Sequence, residues 1–338
     1  MRASLITGLA GHSLSADEAR FLASARPSGL ILFARNCDRP DQIRALVDAA
    51  KAAIGTEDVL VLIDQEGGRV RRLKPPHWRP LPAAAAFAQL AMRDREDAER
   101  AAWLAARLTA ADLLESGINT NCAPVLDLPV AGSHEIIGNR AYGTTADAVI
   151  SLARAVAEGY LAGGVLPVIK HIPGHGRARA DSHLELPVVS TARAELEATD
   201  FVPFRALRDM PAAMTAHVVF SDIDPDAPAS ISRIVTREVI RGYIGFDGLL
   251  MSDDLNMHAL SGNMGDRAQA VIAAGSDVVL HCSGNLAEME EVAATVPALA
   301  GQPLARFKRC LSVLQRREPF SVADAEVALA SAAAAESV

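Results

Sequence analysis

The sequence predicts an α/β fold, a single-domain (β/α)8 TIM barrel, on three observations. Eight short apolar runs rich in β-branched residues recur along the chain, helix-length segments with apolar residues at three- and four-residue spacing separate most of them, and polar residues gather where successive runs end. Repeated β-then-α alternation builds a parallel sheet, and strands that read as unbroken apolar runs are buried on both faces. Eight strands close a barrel, whereas an open doubly wound sheet would concentrate its ligand groups near one switch point.

In order, the runs cover residues 4–8, 29–33, 59–63, 118–126, 165–169, 212–216, 248–251 and 277–281. Helical periodicity is clearest over 100–115 and 145–161. Polar groups follow the third run (64–72), end the fourth (Asn121 to Asp127) and follow the fifth (170–175). His217 follows the sixth run, 252–254 the seventh, and His281 closes the eighth. The Pro-rich stretch 74–82 and the stretch 134–143 are expected to be insertions on the catalytic face. The barrel is assigned residues 1–320, and the Ala-rich tail 321–338 reads as a frayed helix.

Composition narrows the function. The chain has 338 residues, half of them hydrophobic, and a net charge of -8 without a Lys/Arg stripe, which argues for a folded protein and against a nucleic-acid partner. No run approaches the roughly 18–20 apolar residues of a membrane span, and the N-terminus lacks a cleavage-type segment, so the protein is expected to be cytoplasmic. Four scattered cysteines without C-x-x-C spacing fit free thiols in a reducing compartment.

Three constellations carry candidate chemistry. Ile63-Asp-Gln-Glu-Gly-Gly-Arg-Val70, with Arg71 and Arg72 beyond it, sets a carboxylate at a strand end beside glycines that let the backbone turn and cations that bind polar or anionic groups. Lys170-His-Ile-Pro-Gly-His-Gly176 and Asp181-Ser-His183 put three histidines, a lysine and an aspartate after a buried strand. His171 and His175 have zinc-helix spacing, but Pro173 and Gly174 break such a helix, so no metal and no cofactor are expected. Acid/base work by an imidazole with a neighbouring aspartate is the other reading. Leu249-Leu-Met-Ser-Asp-Asp-Leu255 ends a strand on two aspartates that need compensation. Alternation lets one face the mouth as a nucleophile while the other bonds structurally. Asn121, Asp127 and His217 read as supporting or core groups.

Together with Asn121-Cys-Ala-Pro-Val-Leu-Asp127 and Gly138-Asn-Arg-Ala-Tyr-Gly143, these motifs resemble, in order and over nearly the whole chain, the family 3 glycoside hydrolases in their single-domain β-N-acetylglucosaminidase branch of bacterial peptidoglycan recycling. The resemblance implies a barrel that retains anomeric configuration through a covalent glycosyl-enzyme. It implies Asp253 as nucleophile, His183 as general acid/base with Asp181 as its partner, and Asp64, Arg72, Arg140, Lys170 and His171 as holders of a terminal N-acetylglucosamine. The implied substrates are GlcNAc-1,6-anhydro-MurNAc peptides, small carbohydrates rather than a nucleic acid or a membrane. The chain departs from the family's pattern at 177–180, Arg-Ala-Arg-Ala, where many relatives carry Gly-Asp-Thr. A β-glucosidase or β-xylosidase of the same family, a metal-dependent barrel hydrolase and a sugar-binding barrel without turnover are the rivals. With nine Phe, three Tyr and two Trp the chain is poor in stacking platforms, which favours a pocket that grips one terminal sugar.

Overall fold

The computed structural model describes residues 1–178 and 186–334. At its centre eight parallel strands close into a barrel: β1 (Ala3–Gly8), β2 (Pro27–Leu32), β3 (Leu60–Ile63), β4 (Thr120–Asn121), β5 (Leu166–Ile172), β6 (Ala212–Thr215), β7 (Leu249–Asp254) and β8 (Val278–His281). β1 pairs with β2 on one side and with β8 on the other, so the sheet has no free edge. Each predicted run overlaps one strand.

Three strand ends differ from expectation. The fourth run keeps only Thr120–Asn121 in the ladder because Pro124 has no N–H to donate. The extended chain nevertheless stays on β5: Val168 N–H donates to the Ala123 carbonyl at 3.1 Å and Leu126 N–H to the Lys170 carbonyl at 2.7 Å. β5 and β7 run further than their apolar stretches, so Lys170, His171, Asp253 and Asp254 are strand residues rather than loop residues.

The middle of the stretch 74–82 leaves the catalytic face, while Leu81 returns to it, its carbonyl accepting from Gly68 N–H at 3.0 Å. Trp78 Nε1 donates to Ser116 Oγ at 3.4 Å and Arg79 pairs with Asp112 at 2.9 Å. Both partners lie at the C-terminal end of helix Arg95–Glu115, which returns to the opposite end of the barrel. Trp78 is buried, and that burial pulls the middle of the segment down the barrel's flank. The stretch 134–143 does stand at the mouth, where Ile136, Ile137 and Arg140 face a cavity. Helix Val322–Ala334 is joined to the same flank by Glu326, 3.4 Å from Arg79.

Apolar packing forms two layers. Inside the barrel lie residues such as Ile6, Leu62, Val168, Met214, Met251 and Leu280, with Phe307 and Cys310 of helix Gly301–Val313 closing the end at which the strands begin. Arg306 of that helix bonds Asp277, at the entry to β8, at 2.9 Å. One end is thereby plugged, and only the C-terminal ends of the strands open to solvent. No helix among the described residues is long and apolar enough to cross a membrane.

Outside the strands, helices Arg95–Glu115 and Ala146–Gly163 pack closely because their facing residues are small. A Cβ on Gly159 would stand 2.7 Å from the Trp103 carbonyl oxygen and 2.8 Å from Ala106 Cβ. Gly159→Ala should therefore destabilise the protein by about 1–3 kcal/mol through overpacking, against a helix-propensity gain of about 1 kcal/mol. The check is the urea midpoint at constant m-value, which should fall; a raised midpoint would show that the two helices have room to separate.

Candidate active site

Side chains alternate along a strand, and the interior layer identifies the inward row. Leu60 and Leu62 on β3, Leu166 and Val168 on β5, and Leu249 and Met251 on β7 all lie inside the barrel. Asp64, Lys170 and Asp253 are the next positions on those three rows. They emerge together at the open end, lining a cavity of about 270 Å³ with Phe33, Arg72 and Arg140.

The inner wall of the cavity is an alternating chain of charges. Lys170 Nζ donates to Asp64 Oδ1 at 2.8 Å and lies 2.7 Å from Glu66 Oε1. Arg72 donates to the second oxygen of Asp64 at 2.9 Å, and Arg140 grips Glu66 with two bonds of 2.8 Å. Burial opposes the charges of Lys170, Asp64, Glu66 and Arg140, but the pairing outweighs it. Lys170 is held above its ordinary value by Asp64 and Glu66, Asp64 well below the usual carboxylate range by Lys170 and Arg72, and Glu66 down to about 2 by Lys170 and Arg140. Glycine makes the turn possible: Gly67 and Gly68, both at positive φ, carry the hairpin of Gln65–Gly67 with Val70–Arg71. Asn121 pins that hairpin, accepting from Gln65 N–H at 3.0 Å and donating to the Gln65 carbonyl at 2.9 Å.

A second group orients the imidazoles. His171 Nδ1–H donates to the buried Asp127 carboxylate at 2.7 Å, which leaves Nε2 for the cavity that His171 lines. The other Asp127 oxygen accepts the His175 N–H at 2.7 Å. Burial pushes the His175 imidazole down to about 4, with His171 adding to the effect. Asp127 is thus a supporting group, in line with the sequence reading.

Adjacent aspartates on β7 both line the cavity but are held differently. Asp254 accepts from the N–H groups of Asn256 at 3.0 Å and Cys282 at 3.1 Å, and burial raises its carboxyl. Burial acts on Asp253 too, but His171, His217, the Asp254 N–H and Lys170 outweigh it and hold its carboxyl below the usual range. His217 is a core histidine: its Nε2–H donates to the Asp254 carbonyl at 3.0 Å, and Nδ1 accepts from the Ser230 hydroxyl at 2.6 Å. Burial lowers its pKa.

Six of the eight candidate site residues therefore meet at one cavity; Asp181 and His183 lie outside the described residues. Glu66 was missed, although it lay inside the quoted 63–70 motif. The available signal was spacing: in Asp64-Gln65-Glu66 the two carboxylates flank a single residue, while an unpaired Arg140 and Lys170 both needed a counter-charge.

Residues 6–311 match the N-terminal domain of glycosyl hydrolase family 3. The chain belongs to glycosyl hydrolase family 3. A beta-hexosaminidase of Alkalilimnicola ehrlichii is 43% identical to this family 3 chain over 283 residues, 82% of this chain and 80% of that protein. A beta-hexosaminidase of Pseudomonas aeruginosa is 37% identical over 312 residues, 91% of each. Among solved structures, NagZ from Neisseria gonorrhoeae in complex with N-trifluoroacetyl-D-glucosamine superposes with a TM-score of 0.87 at 33% identity, covering 98% of both chains.

Removing the charge of Glu66 while keeping its shape should separate its two effects. Glu66→Gln leaves Lys170 and Arg140 short of a counter-charge, so stability at pH 7 should fall by up to about 3–5 kcal/mol and kcat/KM should fall with it. A depressed carboxyl contributes stability above its unfolded value of 4.5 that is lost as pH drops through the folded value of about 2. The stability gap between parent and variant should accordingly close between those two pH values. A gap that stayed constant across that range would show that Glu66 acts by shape alone.

Proposed function

We propose that the protein is a retaining exo-β-N-acetylglucosaminidase that removes terminal non-reducing N-acetylglucosamine from small peptidoglycan fragments. The observation that carries this reading is Asp253 at the end of an inward strand row, its carboxyl held below the usual range, in a small cavity whose inner wall is built of charged hydrogen-bonding groups. The size suits one sugar rather than a polymer. Arg72 lines it with an Nε–H that has no partner among the described residues, a donor suited to a sugar hydroxyl. The named relatives, and the N-trifluoroacetyl-D-glucosamine held by the gonococcal NagZ, support the hexosamine.

In the first displacement Asp253 attacks the anomeric carbon while the His183 imidazolium, partnered by Asp181, protonates the departing oxygen. In the second, His183 takes a proton from water, which attacks the glycosyl-enzyme and releases the sugar with its configuration retained. Asp64, Arg72, Arg140, Lys170 and His171 hold the sugar, and Glu66 and Asp127 hold those residues. The resemblance supports GlcNAc-1,6-anhydro-MurNAc peptides, in the cytoplasm, as the substrate class.

Comparing 4-nitrophenyl β-N-acetylglucosaminide with the corresponding glucoside tests the sugar; faster turnover of the glucoside would overturn it. Comparing leaving groups tests the acid. His183→Ala should lose about 10²-fold or more in kcat/KM on N,N′-diacetylchitobiose and far less on the 2,4-dinitrophenyl glycoside, which needs little protonation. Equal losses on both would remove His183 from the proton-transfer role.

A further inference from the structure

We propose that Arg177 is a positioning residue for the proton-transfer step: it fixes the point at which the chain leaves the barrel toward Asp181 and His183. The inference rests on the acid/base reading of His183 given above. After β5 the chain is fastened on one side by the mouth. His175 N–H donates to Asp127 at 2.7 Å, and a Cβ on Gly176 would lie 1.9 Å from the Leu128 carbonyl oxygen, so that residue is pressed against the backbone of 128. Ala178 accepts from His134 N–H at 2.8 Å.

Arg177 provides the hold on the other side. Its Nε donates to Asp200 at 2.7 Å, one terminal nitrogen lies 2.8 Å from Glu195, and the other donates to the Thr199 hydroxyl at 3.2 Å. Thr199 in turn donates to the same Asp200 oxygen at 2.7 Å. Asp200 is buried, and among the described residues Arg177 is its one cationic partner. An exposed ion pair would be worth little. Here a planar fork spans three partners against a buried carboxylate, an arrangement that resists rotation as a single contact does not. His183 follows Arg177 by six residues. Errors of about 1 Å in the placing of a proton donor can cost on the order of 10²-fold in rate.

The test compares Arg177→Ala, Arg177→Lys and Asp200→Asn on N,N′-diacetylchitobiose and on 2,4-dinitrophenyl β-N-acetylglucosaminide, with Tm recorded for each. Arg177→Ala and Asp200→Asn should each lose about tenfold or more in kcat/KM on the disaccharide and within about threefold on the activated glycoside, with the double variant no worse than either. Arg177→Lys should recover part of the loss. Equal losses on both substrates, or a fall in Tm with no leaving-group dependence, would overturn the proposal. If Arg177→Ala does not fold, Asp200→Asn and Arg177→Lys decide by the same comparison. His183→Ala separates the two readings. Leaving-group dependence in that variant but not in the anchor variants refutes the anchor alone, and its absence from both refutes the acid/base reading as well.

Discussion

A buried ammonium is tolerable only where carboxylates surround it closely, because desolvation otherwise exceeds the Coulombic return. Lys170 meets that condition with Asp64 and Glu66, 2.8 and 2.7 Å away. Each of those carboxylates needs a further cation in turn, which brings Arg72 from the third strand's hairpin and Arg140 from the insertion after the fourth. Three cations against two carboxylates leave one positive charge in excess at the mouth. Asp253 supplies a balancing negative charge, and its carboxyl is held below the usual range chiefly by His171 and His217, with Lys170 of this network adding a smaller share.

That network is possible only at one end of the barrel. Helix Gly301–Val313 closes the other end with Phe307 and Cys310, and Arg306 ties it to Asp277. The inward rows are apolar until their last position, where the sheet stops excluding water, and there the row residue becomes Asp64, Lys170 or Asp253. The same period-two alternation gives Asp253 and Asp254 different environments although they are neighbours in sequence. Asp253 ends the inward row, while Asp254, also at the cavity, accepts from the Asn256 and Cys282 amides.

Much of this was legible in the residues. All eight strands lay within or beside apolar runs, because a parallel barrel strand is buried on both faces. The rows Leu60-Leu62-Asp64 and Leu249-Met251-Asp253 could be read by counting in twos. Two things could not. Trp78 draws the middle of the 74–82 stretch away from the mouth through burial against Ser116, a partner 38 residues away that no local pattern reveals. Glu66 acts through Arg140, 74 residues distant, a pairing that exists only once the insertion folds back over the hairpin.

In the proposed mechanism the inward row on β7 presents Asp253, and not Asp254, to the anomeric carbon. That assignment is tested most directly by trapping the enzyme with an activated 5-fluoro N-acetylglucosaminide and locating the sugar by peptide mass spectrometry. The sugar is predicted on Asp253. A label on Asp254, or inactivation with no covalent adduct, would rule out Asp253 as the nucleophile.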